Sequence, residues 1–480
     1  MFDFDAPTRQ RLGYKLIDRI NEYFSSLPER AVQLPAGERT FAPLTDRMPE
    51  FASDAAAVLE EVCRELVDKG FHVPAANYFG LMNPTPAYMA VLAEALVAAL
   101  NPQLATVARS QLASKIEAET VRWIGERVFC GERAFDGTFT SGGNEANFSA
   151  LALALAWKFP RVVEHGVATI GAQPLLYASG EAHHSLDKSA GLLGIGRRAL
   201  KRIAVNECLQ LDPERLEKAV RQDLAGGHRP FCIVATAGTT NSGAIDDLEA
   251  LAGIARKYDL WLHVDGAYGA AVVLSDRHRH LVRGIELADS VTLDPHKWLV
   301  MPFAAGLVLT SRPEMLQQAF AIATPYMPRV GGAVQPPLVD NFKISAQWSR
   351  RMNSLKLYLT LRVHGRRAYE ELIERQMQLA RSLAGWVQMS SDFELAAPQV
   401  LPIVNFRVNP FTRSEQDIAA AHAAIVKTVT DDGQRWISET RVAGRSVLRA
   451  MVISYLTEER HLHGLQEALT QAARAVAVGS

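Results

Sequence analysis

Apolar residues at Leu12, Leu16, Ile17, Ile20 and Phe24 recur every three or four positions, which predicts a helix over residues 9–24 with one hydrophobic stripe. The proline-punctuated stretch 27–49 follows, and together they read as an arm. A second helix is predicted over 55–69 and is stopped by Gly70. It leads into Asn77-Tyr78-Phe79-Gly80-Leu81-Met82-Asn83-Pro84-Thr85-Pro86, whose Gly, Asn and Pro content predicts a loop.

In the middle of the chain, short β-branched runs alternate with helical patterns, as βαβ units require. Strands are predicted at 231–235, 260–264, 290–293 and 304–310. Between the first two, Leu248, Leu251, Ala252 and Ala255 line one face of a crossover helix at 246–258. Beyond Pro336-Pro337 the pattern changes to long helices over 354–387, a strand at 400–408, a helix at 415–431, a strand at 446–455 and a last helix ending at 478. The expectation is an α/β fold: a helical arm (1–79), a large domain with a mainly parallel sheet (80–345) and a small α+β domain (346–480).

With 48% hydrophobic and 21% charged residues, the 480-residue chain has an ordinary globular composition. Its 51 basic and 52 acidic residues give a net charge of −1, which supplies no field for steering onto nucleic acid or an anionic membrane. The apolar run 89–100 is interrupted by Glu94 and too short to span a bilayer, and residues 1–5 carry acid where a signal peptide needs base. A cytoplasmic protein with no nucleic-acid or membrane partner is expected. Cys63, Cys130, Cys208 and Cys232 are scattered without zinc or disulfide spacing, so no metal is expected.

In an open parallel sheet, ligands bind beyond the carboxyl ends of the strands. Three predicted strands end in polar residues: one runs into Thr236-Ala237-Gly238-Thr239-Thr240, the next into Asp265-Gly266-Ala267-Tyr268-Gly269, the third into Asp294-Pro295-His296-Lys297-Trp298. Alone, Asp265 reads as a helix cap and Lys297 as a surface lysine. At equivalent ends of neighbouring strands they match the two anchors of pyridoxal phosphate (PLP): an amine for its aldehyde and a carboxylate for its ring nitrogen. Asp294 sits in the loop that positions Lys297, where it orients that turn or the phosphate.

Ser141-Gly142-Gly143-Asn144 precedes an Ala/Leu-rich helix at 146–157, where bare backbone N–H groups and the helix terminus favour an anion such as phosphate. No nucleotide-triphosphate loop is present, and Gly191, Gly194 and Gly196 have the wrong order for a dinucleotide loop. In Glu181-Ala182-His183-His184-Ser185, either an imidazole stacks on a heteroaromatic ring or Ser185 caps a helix.

Taken together, Thr140-Ser141-Gly142-Gly143-Asn144-Glu145-Ala146-Asn147, Ala182-His183-His184-Ser185, His263-Val264-Asp265-Gly266-Ala267-Tyr268-Gly269 and Asp294-Pro295-His296-Lys297-Trp298 resemble the group II PLP-dependent amino acid decarboxylases. These include aromatic-L-amino-acid, glutamate, histidine and 2,4-diaminobutyrate decarboxylases. The resemblance implies a fold-type-I homodimer whose arm wraps the partner and whose active site lies at the interface. Within it, Lys297 is the Schiff-base lysine, Asp265 pairs with the pyridine nitrogen, and His183 and Ala267 take the two ring faces. Thr240 lies beside the cofactor, and Ser141, Gly142, Gly143, Asn144 and His296 hold the phosphate. Arg449, in Val447-Leu448-Arg449-Ala450, receives the substrate carboxylate or else bridges the domains.

The resemblance also implies release of carbon dioxide and an amine from an L-amino acid. Tyr78, Phe79, Leu81 and Met82 could wall an aromatic substrate; acidic or diamino acids are the alternatives. Many members carry a tyrosine in a mobile loop that protonates the product carbon, and the stretch 338–343 read as its counterpart has none. Tyr326 and His184 are the alternative donors. Loss of that tyrosine accompanies oxidative deamination in aldehyde-synthase relatives, a second expectation. A cofactor-binding protein without turnover is the third.

Overall fold

The computed structural model describes residues 2–39, 47–131, 133–324, 338–409 and 414–478. Seven strands form the larger sheet: β1 (Asp136–Thr140), β2 (Pro174–Ser179), β3 (Leu200–Ile203), β4 (Arg229–Thr236), β5 (Trp261–Asp265), β6 (Ser290–Leu293) and β7 (Gly306–Thr310). Their order is β1-β7-β6-β5-β4-β2-β3. The run from β3 to β6 is parallel, and β7 lies antiparallel between β6 and β1.

Strands read as unbroken apolar runs because both faces of this sheet are covered. In β4, Ile233 and Ala235 enter one core cluster while Cys232 and Val234 enter the cluster on the other face. The crossover helix Leu248–Lys257 buries its predicted stripe, and the Asp247 carboxylate caps it by accepting from the Ala250 N–H at 3.0 Å. Helix Gly143–Lys158 packs across the other face, burying Leu151, Leu153 and Ala154.

The smaller sheet contains β8 (Phe393–Leu395), β9 (Ile403–Val408), β10 (Ser438–Val442) and β11 (Arg445–Met451), antiparallel in the order β10-β11-β9-β8. Helices Glu415–Asp431 and Glu459–Val478 cover one face. Ala443 and Gly444, both at positive φ (48° and 79°), make the two-residue turn joining β10 to β11. Helix Ser354–Met389 runs from one sheet to the other and breaks at Gly365 (φ 71°, ψ 171°), a conformation that glycine alone adopts cheaply.

Helices Ala6–Ser26 and Ala55–Lys69 form the predicted arm, and neither contains a buried residue. Tyr14, Leu16, Val58 and Leu66 are exposed apolar side chains on them. No helix among the described residues is long and apolar enough to cross a membrane.

Candidate active site

Strands β4, β5 and β6 are neighbours in register, with Thr236 beside Asp265 and Asp265 beside Thr292. Their carboxyl ends therefore open on one crevice. A cavity of about 350 Å³ lies there, within the range of small-ligand sites. Lys297, Asp265, His183, Ala267, Thr240, Asp294, His296 and the segment from Ser141 to Asn144 all line it. Residues from five separate stretches of sequence thus meet at one place.

Lys297 Nζ lies 3.1 Å from Asp294 Oδ2, whose side chain is 2% exposed. Burial pushes the Asp294 carboxyl up, opposed by Lys297. His296 accepts the Ala305 N–H on Nδ1 at 3.0 Å, so the ring's proton sits on Nε2, 3.5 Å from Asp294 Oδ2. Burial, then the charges of Lys297 and Lys356, push His296 down to about 3, so the ring is neutral at physiological pH. His183 accepts the Ser185 N–H at 3.1 Å and is likewise held below the ordinary imidazole range by burial.

The Asp265 carboxylate accepts from Asn147 Nδ2 at 2.8 Å and from the Ala267 N–H at 3.2 Å. Asn147 stands in the quoted motif, in the second turn of its helix, with no local signal of this role. Thr236, Tyr268 and Phe303 also line the cavity and were not foreseen as site residues. Phe303 packs on His296 with ring centroids 4.4 Å apart.

The cavity fits PLP. Thr236 Oγ1, Tyr268 Oη and Asp294 Oδ1 are buried without a hydrogen-bond partner among the described residues, and each belongs to a lining residue. Such atoms call for a polar ligand. A Cβ on Gly143 would stand 2.7 Å from Asp294 Oδ2, and one on Gly142 3.0 Å from His296 Cε1, so only glycines leave this cradle open. Gly143 and Asn144 begin a helix, where backbone N–H groups lack helical partners. The Ser141 N–H and hydroxyl are both taken by Glu145 Oε2, at 2.8 and 2.7 Å.

Arg449 is 4% exposed and outside the cavity lining, but donates to the backbone carbonyl of Thr240 at 3.0 Å and to Ser438 Oγ at 3.0 Å. Burial lowers its pKa to about 10. Among the described residues no carboxylate pairs with it, which speaks against the interdomain salt bridge.

Four expectations need correction. Phe79 is fully buried in the core of the smaller sheet, and Tyr78 stacks on Trp436 with centroids 5.5 Å apart; neither lines the cavity. Gly80 lets Trp436 approach this loop, and the contact pulls its aromatic side chains away from the crevice. Of the expected apolar wall, Met82 alone reaches the cavity, and Leu81 is exposed. His184 is 90% exposed and paired with Asp187 at 3.2 Å, outside the lining. The stretch read as a mobile loop is docked: Phe342 is buried and Asp340 Oδ1 accepts the Val107 N–H at 3.0 Å. None of residues 338–343 lines the cavity. Tyr326 lies outside the described residues.

A lysine, a carboxylate and a glycine anion cradle at the strand ends of an α/β sheet define a PLP enzyme of the fold-type-I class. Residues 38–409 match the model of the pyridoxal-dependent decarboxylase conserved domain. The chain belongs to this family and is a PLP-dependent carboxy-lyase. It is 30% identical over 452 residues to the aromatic-L-amino-acid decarboxylase of Bacillus atrophaeus, covering 94% of this chain and 92% of that one. It is 26% identical to the 4-hydroxyphenylacetaldehyde synthase of Rhodiola rosea, covering 96% and 94%. The crystal structure of Oryza sativa TDC with PLP and tryptamine shares the fold at a TM-score of 0.91 and 24% identity, over 99% of each chain.

Proposed function

We propose that the protein is a cytoplasmic homodimer that converts an aromatic L-amino acid to the corresponding amine and carbon dioxide. The observation that carries this reading is the convergence of Lys297, Asp265, His183 and the Ser141 to Asn144 cradle on one cavity. Lys297 would take the PLP aldehyde, Asp265 the ring nitrogen, and His183 and Ala267 the two ring faces. Gly142, Gly143, Asn144 and His296 would hold the phosphate, with Thr240 alongside, and Ser141 would join them on exchanging Glu145 for the phosphate.

When bound, PLP supplies an electron sink for the pair released as the Cα–carboxylate bond breaks. The protein's own residues set the conditions for that chemistry. Asp265 accepts from the Asn147 amide and the Ala267 N–H, which leaves room on its carboxylate to accept from a protonated ring nitrogen. Asp294 keeps the Lys297 amine at the cavity from 3.1 Å. Neutral His296 offers its Nε2 proton to a phosphate without competing for charge. Arg449, buried without a carboxylate partner, is the cation for the substrate's carboxylate, beside the carbonyl of cavity-lining Thr240.

Met82 and Phe303 give the cavity apolar walls, and Lys297 is its sole lysine or arginine among the described lining residues, which leaves an acidic side chain unpartnered. The name of the Bacillus relative supports the aromatic assignment. The bare apolar side chains of the arm support a second copy of the chain as its cover. Four free cysteines suit a reducing compartment. The division at residues 79 and 345 belongs to the same proposal.

The test is a product screen by mass spectrometry with PLP and all common amino acids. Aromatic amines with equimolar carbon dioxide are expected. Aldehyde, ammonia and peroxide would move the assignment to an aldehyde synthase, the activity named for the Rhodiola relative.

A further inference from the structure

Asn147 is 1% exposed and uses every hydrogen-bonding position of its carboxamide. Nδ2 donates to Asp265 Oδ2 at 2.8 Å and to Ser185 Oγ at 2.9 Å. Oδ1 accepts from Thr292 Oγ1 at 2.7 Å and from His263 Nε2 at 3.1 Å. The orientation of the amide is settled by these partners, because a carboxylate at one end demands the NH2 group and a hydroxyl donor at the other meets the oxygen. His263 is fully buried, and burial lowers its pKa to about 4, so its ring is neutral; its Nδ1 lies 2.9 Å from Ser290 Oγ and 3.2 Å from the Ser290 carbonyl oxygen. Ser290 Oγ in turn accepts from Trp261 Nε1 at 2.8 Å.

We infer that Asn147 is a positioning residue for the cofactor's nitrogen anchor: Thr292 and His263 lock its amide, and the amide holds Asp265 as an aimed carboxylate. The inference rests on the reading of Asp265 as the partner of the pyridine nitrogen. The chain running from Asp265 through Asn147 and His263 to Ser290 contains no cation, so nothing in it neutralises the charge reserved for the ring. The second Nδ2 hydrogen reaches Ser185, whose backbone N–H fixes His183. One side chain thereby ties the nitrogen end of the ring to its stacking face. Sequence reading sees only an asparagine in a helix; the two strands that meet it, β5 and β6, are more than a hundred residues away.

The experiment compares equilibrium binding of PLP with that of its carbocyclic analogue, in which C–H replaces the ring nitrogen. Both are titrated into the full-length apoprotein and followed by tryptophan fluorescence. The wild type is expected to prefer PLP. Asn147→Ala is expected to weaken PLP binding about tenfold, as loss of a charge-assisted hydrogen bond implies, while the analogue changes little, so the preference collapses. Thr292→Val, which removes one lock and keeps the shape, is expected to reduce the preference in the same direction by a smaller factor, and it decides the matter if the alanine variant does not fold. Equal weakening of both ligands, with the preference intact in the folded variants, would mean that Asn147 only fills the core, and would overturn the inference. A wild type with no preference would remove the anchor reading itself, and the inference with it.

Discussion

Asp294 Oδ2 stands 3.1 Å from Lys297 Nζ, and the carboxylate is almost wholly buried while the amine is about a quarter exposed. The pair joins adjacent turns of the segment that follows β6 and fixes the direction in which the lysine enters the cavity. Asp294→Asn keeps the shape and removes the charge, leaving the ammonium without its partner. We expect the apoprotein to lose about 1–3 kcal/mol, less than for a fully buried pair because Lys297 retains some water. Urea denaturation of the apoprotein checks this, and an unchanged midpoint would show that the pair contributes nothing.

Phe79 and Leu81 separate core from site. Phe79→Ala is expected to cost about 3–5 kcal/mol of stability, as for other buried aromatic deletions. Leu81→Ala is expected to stay within about 0.5 kcal/mol, because the side chain is exposed. In neither folded variant should KM for an aromatic substrate change more than about twofold, the limit expected of a side chain that makes no substrate contact. Steady-state kinetics alongside denaturation test both halves; a large rise in KM for Phe79→Ala with stability retained would restore Phe79 to the substrate wall.

How much of this was legible in the sequence depends on whether the signal was local. The strands at 231–235 and 290–293 and the crossover helix were readable because parallel strands buried on both faces are continuous apolar runs. Asp265 and Lys297 were readable because strand ends of such a sheet have a fixed chemical meaning. β10 was missed: its turn is Ala443-Gly444 rather than the Asn-Gly that marks such hairpins, and its residues Ser438, Thr440 and Arg441 dilute the apolar pattern. The positions of Tyr78 and Phe79 were misread because Trp436, which draws the loop away, is more than three hundred residues distant. Asn147 was invisible for the same reason: its partners come from three other elements.

Arg449→Lys tests the proposed carboxylate receptor. Lysine keeps the charge but cannot span Ser438 Oγ and the Thr240 carbonyl with a fixed fork. KM for the amino acid is expected to rise about tenfold or more, while affinity for PLP stays near wild type. Unchanged KM with weakened PLP binding would make Arg449 a support for the Thr240 loop instead.

Acid stability carries a signature of buried neutral histidines. Burial lowers His422 to about 4 from an ordinary 6.5, and its Nε2 accepts the Val408 N–H at 3.2 Å. Below pH 6.5 the unfolded chain takes up a proton that the native ring refuses, so this contribution is complete above pH 6.5 and is lost as pH falls toward 4. Between these limits His422→Gln is expected to flatten the dependence of unfolding free energy on pH by about 1.4 kcal/mol per pH unit. Urea titrations at pH 4.5 to 6.5, as rough working limits, read this slope. Parallel slopes for variant and wild type would contradict it.

Lys297 is the residue proposed to be joined covalently to PLP. Borohydride reduction of the PLP-loaded protein, followed by peptide mapping with mass spectrometry, reads that bond directly. A phosphopyridoxyl group is expected on the peptide containing Lys297, and Lys297→Ala is expected to abolish both that label and carbon dioxide release. A label on another lysine in the wild type, or turnover retained without Lys297, would contradict it.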